Sequence, residues 1–175
     1  MSALAARGRA RAEAQAVDLG VAETVTLSVA RGAAFETPPP AGPGRARPAR
    51  RMSGLDWLAA KGALSPAQYR AGERYGLAWR RANAESSIGS SLDLAPGGGG
   101  VETPLSMVMA RAEARAAAAA RLASYRRTLG DQVALLAACD SVCGREMTPR
   151  EATGGDREAG RLEAVLVVAL DLLGA

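Results

Sequence analysis

Histidine is absent from this 175-residue chain. That removes Ser-His-Asp and Cys-His catalysis, the commonest general base and the commonest metal ligand. Cysteine is scarce: Cys139 and Cys143 are the only two. They stand four apart on one expected helix, where parallel side chains suit a disulfide poorly. Two thiolates without further ligands cannot complete a tetrahedral zinc site. They read as buried thiols in a reducing cytoplasm. Aromatic residues are only 3% of the chain, so the core cannot be built on large rings. Long apolar runs are missing too. None approaches the ~20 residues of a membrane span, and the arginine-bearing N-terminus lacks the continuous apolar stretch of a secretory signal. The expectation is a cytoplasmic protein with no cofactor, no metal and no membrane partner.

An enzyme is the least favoured class. Glu146, Glu151, Glu158 and Glu163 could in principle act as paired acids. Nothing in their setting points to burial with a perturbed pKa, and surface salt bridging accounts for them. No catalytic residue is assigned.

What the chain does have is arginine. The formal net charge is +4, and every basic residue except Lys61 is arginine. With the abundant alanine and glycine, this suggests a GC-rich genome as much as selection for phosphate contacts. Location matters more than the total. Residues 1–51 hold eight arginines against four acids, whereas residues 52–175 hold thirteen arginines and Lys61 against fourteen acids. The basic surplus therefore belongs to the first segment.

That segment reads as a disordered or weakly structured arm and linker. Residues 5–16 are Ala/Arg-rich and suit a frayed helix. Thr24–Val29 alternates Val25, Leu27 and Val29 against Thr and Ser, a weak strand signal. Thr37–Arg51 is rich in Pro, Gly and Arg and reads as linker. Arg45, Arg47, Arg50 and Arg51 cluster there and are candidates for sequence-independent, salt-sensitive contact with DNA. A solvated linker is the favoured alternative. Met52 follows at the composition break and is a candidate alternative start.

From residue 52 the helix signals become strong, and the fold class expected over 52–175 is all-α. Helices are expected near 54–61, 66–83, 104–128, 131–143, 148–153 and 156–173. Gly62 suits the end of the first. Ser65, Pro66 and Gln68 form a capping box with proline at the first helical position, and Thr148, Pro149 and Glu151 repeat the pattern. Gly72 and Gly76 lie four apart in mid-helix, which points to close approach by a neighbouring element. Tyr69, Tyr75 and Trp79 read as packing residues and not as base-stacking groups. Residues 86–101 read as a loop. The glycines at 97–100 are followed by no lysine, so a phosphate-binding loop is poorly supported.

The helix from Thr103-Pro104 to about Thr128 is alanine-rich, with Leu105, Val108, Met109, Ala112, Ala116 and Ala119 expected on one packed face. Arg111, Arg115, Arg121, Arg126 and Arg127 against Glu113 make it net +4. It is the best nucleic-acid candidate inside the domain, although a solvated face is favoured. Gly130-Asp131 opens the next helix and Gly144 closes it. Asp156 follows Gly154-Gly155 as cap or first-turn acid of the last helix, whose Leu162, Val165, Leu166, Ala169, Leu170 and Leu173 fall at helical spacing. That helix is apolar over most of its circumference and reads first as core, with Leu166 and Leu170 buried. The succession from Cys139 to Leu173 has the outline of a helix-turn-helix. Arg157 and Arg161 are its candidates for reading DNA.

Two blocks carry a family resemblance. LDWLAAKGALSPAQYRAGERYG (55–76) and CDSVCGREMTPREATGGDREAGRLEAVLVVALDLL (139–173) resemble a bacterial helical domain family. It occurs in alphaproteobacterial and prophage-like genes and at the C-terminus of activators of gene transfer agent operons. The second block is also similar to the DNA-reading region of sigma factors, at Gly144, Thr148, Glu151-Ala152 and the long helix that follows. The resemblance implies transcriptional control, through RNA polymerase or another transcription protein. The chain departs from a sigma-type reader in charge: residues 128–175 contain four arginines and eight acids, net −4. Phosphate contacts need basic side chains, so a protein partner with auxiliary DNA contact is preferred. The alternative is a structural or DNA-packaging protein of a prophage-like system.

Overall fold

Capping chemistry fixes most of the architecture. The computed structural model describes residues 14–18, 20, 22–36, 49–84 and 105–174. Helix α1 is Val25–Ala30, followed by strands β1, Phe35–Glu36, and β2, Arg50–Arg51. Helices α2, Gly54–Ala60, and α3, Pro66–Ala82, come next. Helix α4 spans Leu105–Thr128 and α5 spans Val133–Cys139. A π-helical turn, Asp140–Gly144, leads to α6, Pro149–Thr153, and α7, Asp156–Gly174. The described chain is mostly helical, in keeping with the all-α class, and among the described residues no helix is long and apolar enough to cross a membrane.

Two helix starts carry a full capping box. The Ser65 hydroxyl accepts from Gln68 N–H at 3.2 Å, and Gln68 Oε1 accepts from Ser65 N–H at 2.7 Å. Thr148 and Glu151 make the same reciprocal pair at the head of α6. These bonds satisfy N–H groups that a helix start otherwise leaves unpaired. Gly62, in the left-handed region at φ 75°, follows the end of α2, and Gly154 at φ 74° ends α6.

The core lies where α3, α5, the π turn and α7 meet. Leu58, Tyr75, Ala138, Cys139, Val142, Leu166, Ala169 and Leu170 are fully buried, and Leu122 and Leu129 cover them from the end of α4. Leu166 and Leu170 are core residues, as their place in the apolar run implied. So is Tyr75, while Tyr69 and Trp79 pack at the core's edge. The Gly72–Gly76 pair serves the close approach expected of it. A Cβ at Gly72 would press on Leu55 Cδ1 at 2.7 Å, and one at Gly76 would collide with the Cys143 carbonyl.

Four expectations are corrected. The strand reading of Thr24–Val29 gives way to α1, because the Thr24 hydroxyl caps it by accepting from Leu27 N–H at 3.3 Å. Only Leu27 of that helix is buried; Val25 and Val29 are about half exposed. The disordered-arm reading fails over 22–36 and 49–51. Phe35 pairs with Arg51 and Glu36 with Arg50, Ala33 is buried, and the Thr148 hydroxyl donates to the Gly32 carbonyl at 2.8 Å. Residues 1–13 and 37–48 lie outside the described residues. The single helix expected over 131–143 begins after a left-handed turn at Gly130 and Asp131, then widens into the π turn at Asp140. Finally, α4 packs through Ala118, Leu122 and Tyr125; Leu105, Val108 and Met109 are exposed. Only the C-terminal half of α4 meets the core.

Candidate interaction surface

Helix α7 divides lengthwise. Leu166, Ala169 and Leu170 face inward, with Leu162, Val165 and Leu173 packed beside them. Arg157, Arg161, Val168 and Leu172 follow at i, i+4, i+11 and i+15, which places them along one other face. Both arginines are exposed, Val168 keeps 52% of its surface in solvent and Leu172 44%. The outward face is therefore cationic in its first turns and aliphatic in its last three. Asp156 and Glu158 flank the arginines and suit the positive end of the helix dipole.

The start of α7 is tied to its neighbours by ion pairs. Arg150 Nε meets Asp156 Oδ1 at 3.3 Å, and Lys61 Nζ meets Glu163 at 3.6 Å while lying 5.0 Å over the Trp57 ring. Arg51 Nη2 donates to Glu151 Oε1 at 2.6 Å, so the end of the basic segment is docked on α6. Arg50 stands exposed beside it in β2.

The other cation candidates do not converge on that face. Arg111, Arg121 and Arg127 are exposed along α4, and Arg115 is half-buried. Arg126 is half-buried at the core's edge. Its Nη2 meets Asp140 Oδ2 at 3.3 Å, and Tyr75 Oη donates to Asp140 Oδ1 at 2.6 Å. Arg126 Nε is buried with no acceptor among the described residues. Arg126 is thus part of a structural network and is withdrawn as a phosphate ligand. Burial, then the bond to Asp140, push the Tyr75 hydroxyl's pKa far up. Arg45 and Arg47 lie outside the described residues.

The thiols are free and buried. Hydrogen bonding to Cys139, then burial, hold the Cys143 thiol well above its usual pKa, which favours the protonated, unreactive form. A polar cleft of about 140 Å³ opens beside Cys143. Its groups are engaged with one another: Tyr69 Oη donates to Asp56 at 2.7 Å, and Arg80 Nη1 pairs with Glu146 at 3.0 Å and donates to the Cys143 carbonyl at 2.9 Å. The Asp56 bond, with some burial, pushes the Tyr69 pKa up to about 12. Among the described residues no group of three or more His, Cys, Asp or Glu side chains is placed to hold a metal.

The sequence reading missed a groove of about 430 Å³ between α3 and α4, rimmed by Arg74, Arg81 and Arg121. The signal available was the seven-residue spacing of Arg74 and Arg81, two turns apart on one face of α3. No family model matches the chain, and no match is found among curated proteins or solved structures.

Proposed function

We propose that this chain is a transcription regulator of a phage-like or gene-transfer-agent-like system. It acts through RNA polymerase or another transcription protein, with auxiliary contact to DNA. The observation that carries the reading is the outward face of α7, arginine at one end and aliphatic at the other. Helix α5 with its π turn, then α6, then α7 follow one another in the order of a helix-turn-helix, and on this reading α7 serves as its recognition helix. A groove reader needs cations along the contact. Here two arginines lead, and Val168 and Leu172 continue the same face. Exposed aliphatic side chains gain little from a phosphate backbone and much from an apolar partner surface. Two partners share one helix on this reading: DNA at Arg157 and Arg161, protein at Val168 and Leu172. The docked strand sets Arg50 beside α6, while Arg51 there is engaged with Glu151. The resemblance to gene transfer agent activators and to sigma-factor readers supports the same assignment.

The test uses the full chain, because residues 22–36 are packed against α6. It is titrated against random duplexes and duplexes from upstream of its own operon, at two salt concentrations. Weak, sequence-independent binding that falls with salt is expected, and Arg157→Ala with Arg161→Ala should lower it evenly across sequences. Val168→Lys with Leu172→Lys should abolish association with purified host RNA polymerase while sparing DNA binding. Tight, sequence-selective binding lost on Arg161→Ala would make the chain an autonomous DNA reader instead.

A further inference from the structure

The seam between α3 and α4 is open along part of its length. Arg74, Leu77 and Arg81 lie at i, i+3 and i+7 on α3, and Ala114, Ala117 and Arg121 lie at i, i+3 and i+7 on α4. The two sets line a groove of about 430 Å³. Its floor is apolar and shallow: Leu77 is 43% exposed, and the alanines leave room for a third backbone to approach. Tyr125 bounds it at one end, its ring held 5.9 Å from that of Tyr75.

The rim is cationic. Arg74 extends Nη2 to the Leu173 carbonyl at 3.5 Å. Among the described residues no carboxylate pairs with Arg74, Arg81 or Arg121. An occupant must therefore satisfy two requirements: aliphatic surface for the floor and negative charge for the rim. A nucleic-acid backbone meets only the second, since phosphates and sugars leave Leu77 without an apolar partner. A carboxylate-bearing amphipathic helix meets both, and a helix laid between two helices is a recurrent recognition mode. Two turns separate Arg74 from Arg81, about 10 Å along the axis, so acids seven apart on the occupant would face both.

We propose that the α3–α4 groove docks an acidic amphipathic helix of a protein partner. Its aliphatic side chains cover Leu77 and the alanines, and its carboxylates oppose Arg74, Arg81 and Arg121. The inference rests on the protein-partner half of the proposed function and gives that partner a second footprint, whose Arg74 end adjoins the C-terminus of α7 at Leu173.

A library of random peptides about 16 residues long, roughly 24 Å of helix, is selected on the immobilised full chain. Single selected peptides are then titrated by fluorescence anisotropy. The expected peptides carry Asp or Glu seven apart, framing aliphatic residues at helical spacing. Arg81→Glu with Arg121→Glu should weaken them at least about tenfold, and Leu77→Asp should do the same. All three positions are exposed, so an unchanged melting temperature checks that the fold is kept. Arg157→Ala, Arg161→Ala and the Val168 and Leu172 variants should leave peptide affinity unchanged. That separates failure of the groove from failure of the α7 reading. Three results would overturn the proposal: peptides without acids, or indifferent to the charge reversals; displacement of bound peptide by random duplex DNA at about 0.15 M salt, which would assign the rim to phosphates; or binding seen only after Leu92, Asp93 and Leu94 are replaced by serine, which would make the chain's own α3–α4 connection the occupant.

Discussion

Replacing Gly76 by alanine sets two effects of opposite sign against each other. Alanine is the better helix former by about 1 kcal/mol in a helix interior. Against this stands the packing of α3 on the π turn. A Cβ at Gly76 would fall inside contact distance of the Cys143 carbonyl oxygen and 3.1 Å from its carbon. Those atoms are backbone and cannot rotate aside as a side-chain end would. The same carbonyl accepts the 2.9 Å bond from Arg80 Nη1, so displacing it strains a charge-assisted bond as well. Over-packing of this kind costs about 1–3 kcal/mol, and a hydrogen bond to a charged group contributes about 1.5–3 kcal/mol. With part of that bond lost, Gly76→Ala should destabilise by about 1–4 kcal/mol net.

Gly160 provides the internal control. It too is in mid-helix, on α7, but a Cβ there meets nothing within 4 Å. Only the propensity gain operates, and Gly160→Ala should stabilise by about 0.5–1 kcal/mol. In a chain of this size each kcal/mol moves the melting temperature by about 2–4 °C. Thermal and urea unfolding of the two variants should therefore shift in opposite directions. If both shift upward, α3 does not press on the π turn as described and the packing argument fails.

Three further outcomes follow from the same contacts. Leu166→Ala empties a fully buried site between α7 and its neighbours, and urea unfolding should show a loss of about 2–5 kcal/mol. Thr148 is 1% exposed and both caps α6 and donates to the Gly32 carbonyl; Thr148→Ala should cost about 1–3 kcal/mol and hasten limited proteolysis within 22–36, read by mass spectrometry. Tyr69 ionises in the folded chain only near pH 12, against 10.0 for a free tyrosine, and Tyr75 is shifted in the same direction. Below about pH 10 both states hold these protons and stability is unaffected; above it the unfolded chain loses them first, so stability should fall as pH rises from 10 towards 12 and beyond. Urea midpoints across that range should decline less steeply in Tyr75→Phe.

What was legible in the sequence was local. Ser65-Pro66-Gln68 and Thr148-Pro149-Glu151 specify their helix starts within four residues, and the structure has both. Leu166 and Leu170 could be placed inside because their run is apolar beyond any exposed alternative. Val25, Leu27 and Val29 misled because a six-residue run fits both periods, and threonine, whose hydroxyl at Thr24 makes the deciding cap bond from Leu27 N–H, is also a common strand residue. Helix α4 misled for another reason. Alanine differs little from one helix face to the next, so its pattern scarcely distinguishes Leu105–Ala119 from Ala118–Tyr125. The choice is made by α3, far away in sequence. The π turn and the α3–α4 groove are likewise products of pairing, and neither exists in a single segment. The glycines at 72 and 76 did announce that something comes close, without saying that it is the Cys143 carbonyl.

Pairing also changes what the arginines can do. In sequence, eleven of them form one pool of DNA candidates. In the structure Arg126 belongs to the Asp140 network and Arg51 to Glu151, while Arg121 lies on the groove. Arg157 and Arg161 remain together on α7, one turn apart. Each phosphate neutralised on duplex DNA contributes about −0.9 to the slope of log affinity against log salt. Two arginines therefore give a slope of about −2, far short of the six to ten contacts of a strong binder. A slope near −2 that vanishes in the Arg157→Ala, Arg161→Ala double variant would leave DNA as an orienting contact, with Val168 and Leu172 supplying the apolar area for a protein partner. A slope several times steeper in that same variant would mean that cations elsewhere, on α4 or in the basic segment, hold the duplex, and that the outward face of α7 was misassigned as the DNA contact.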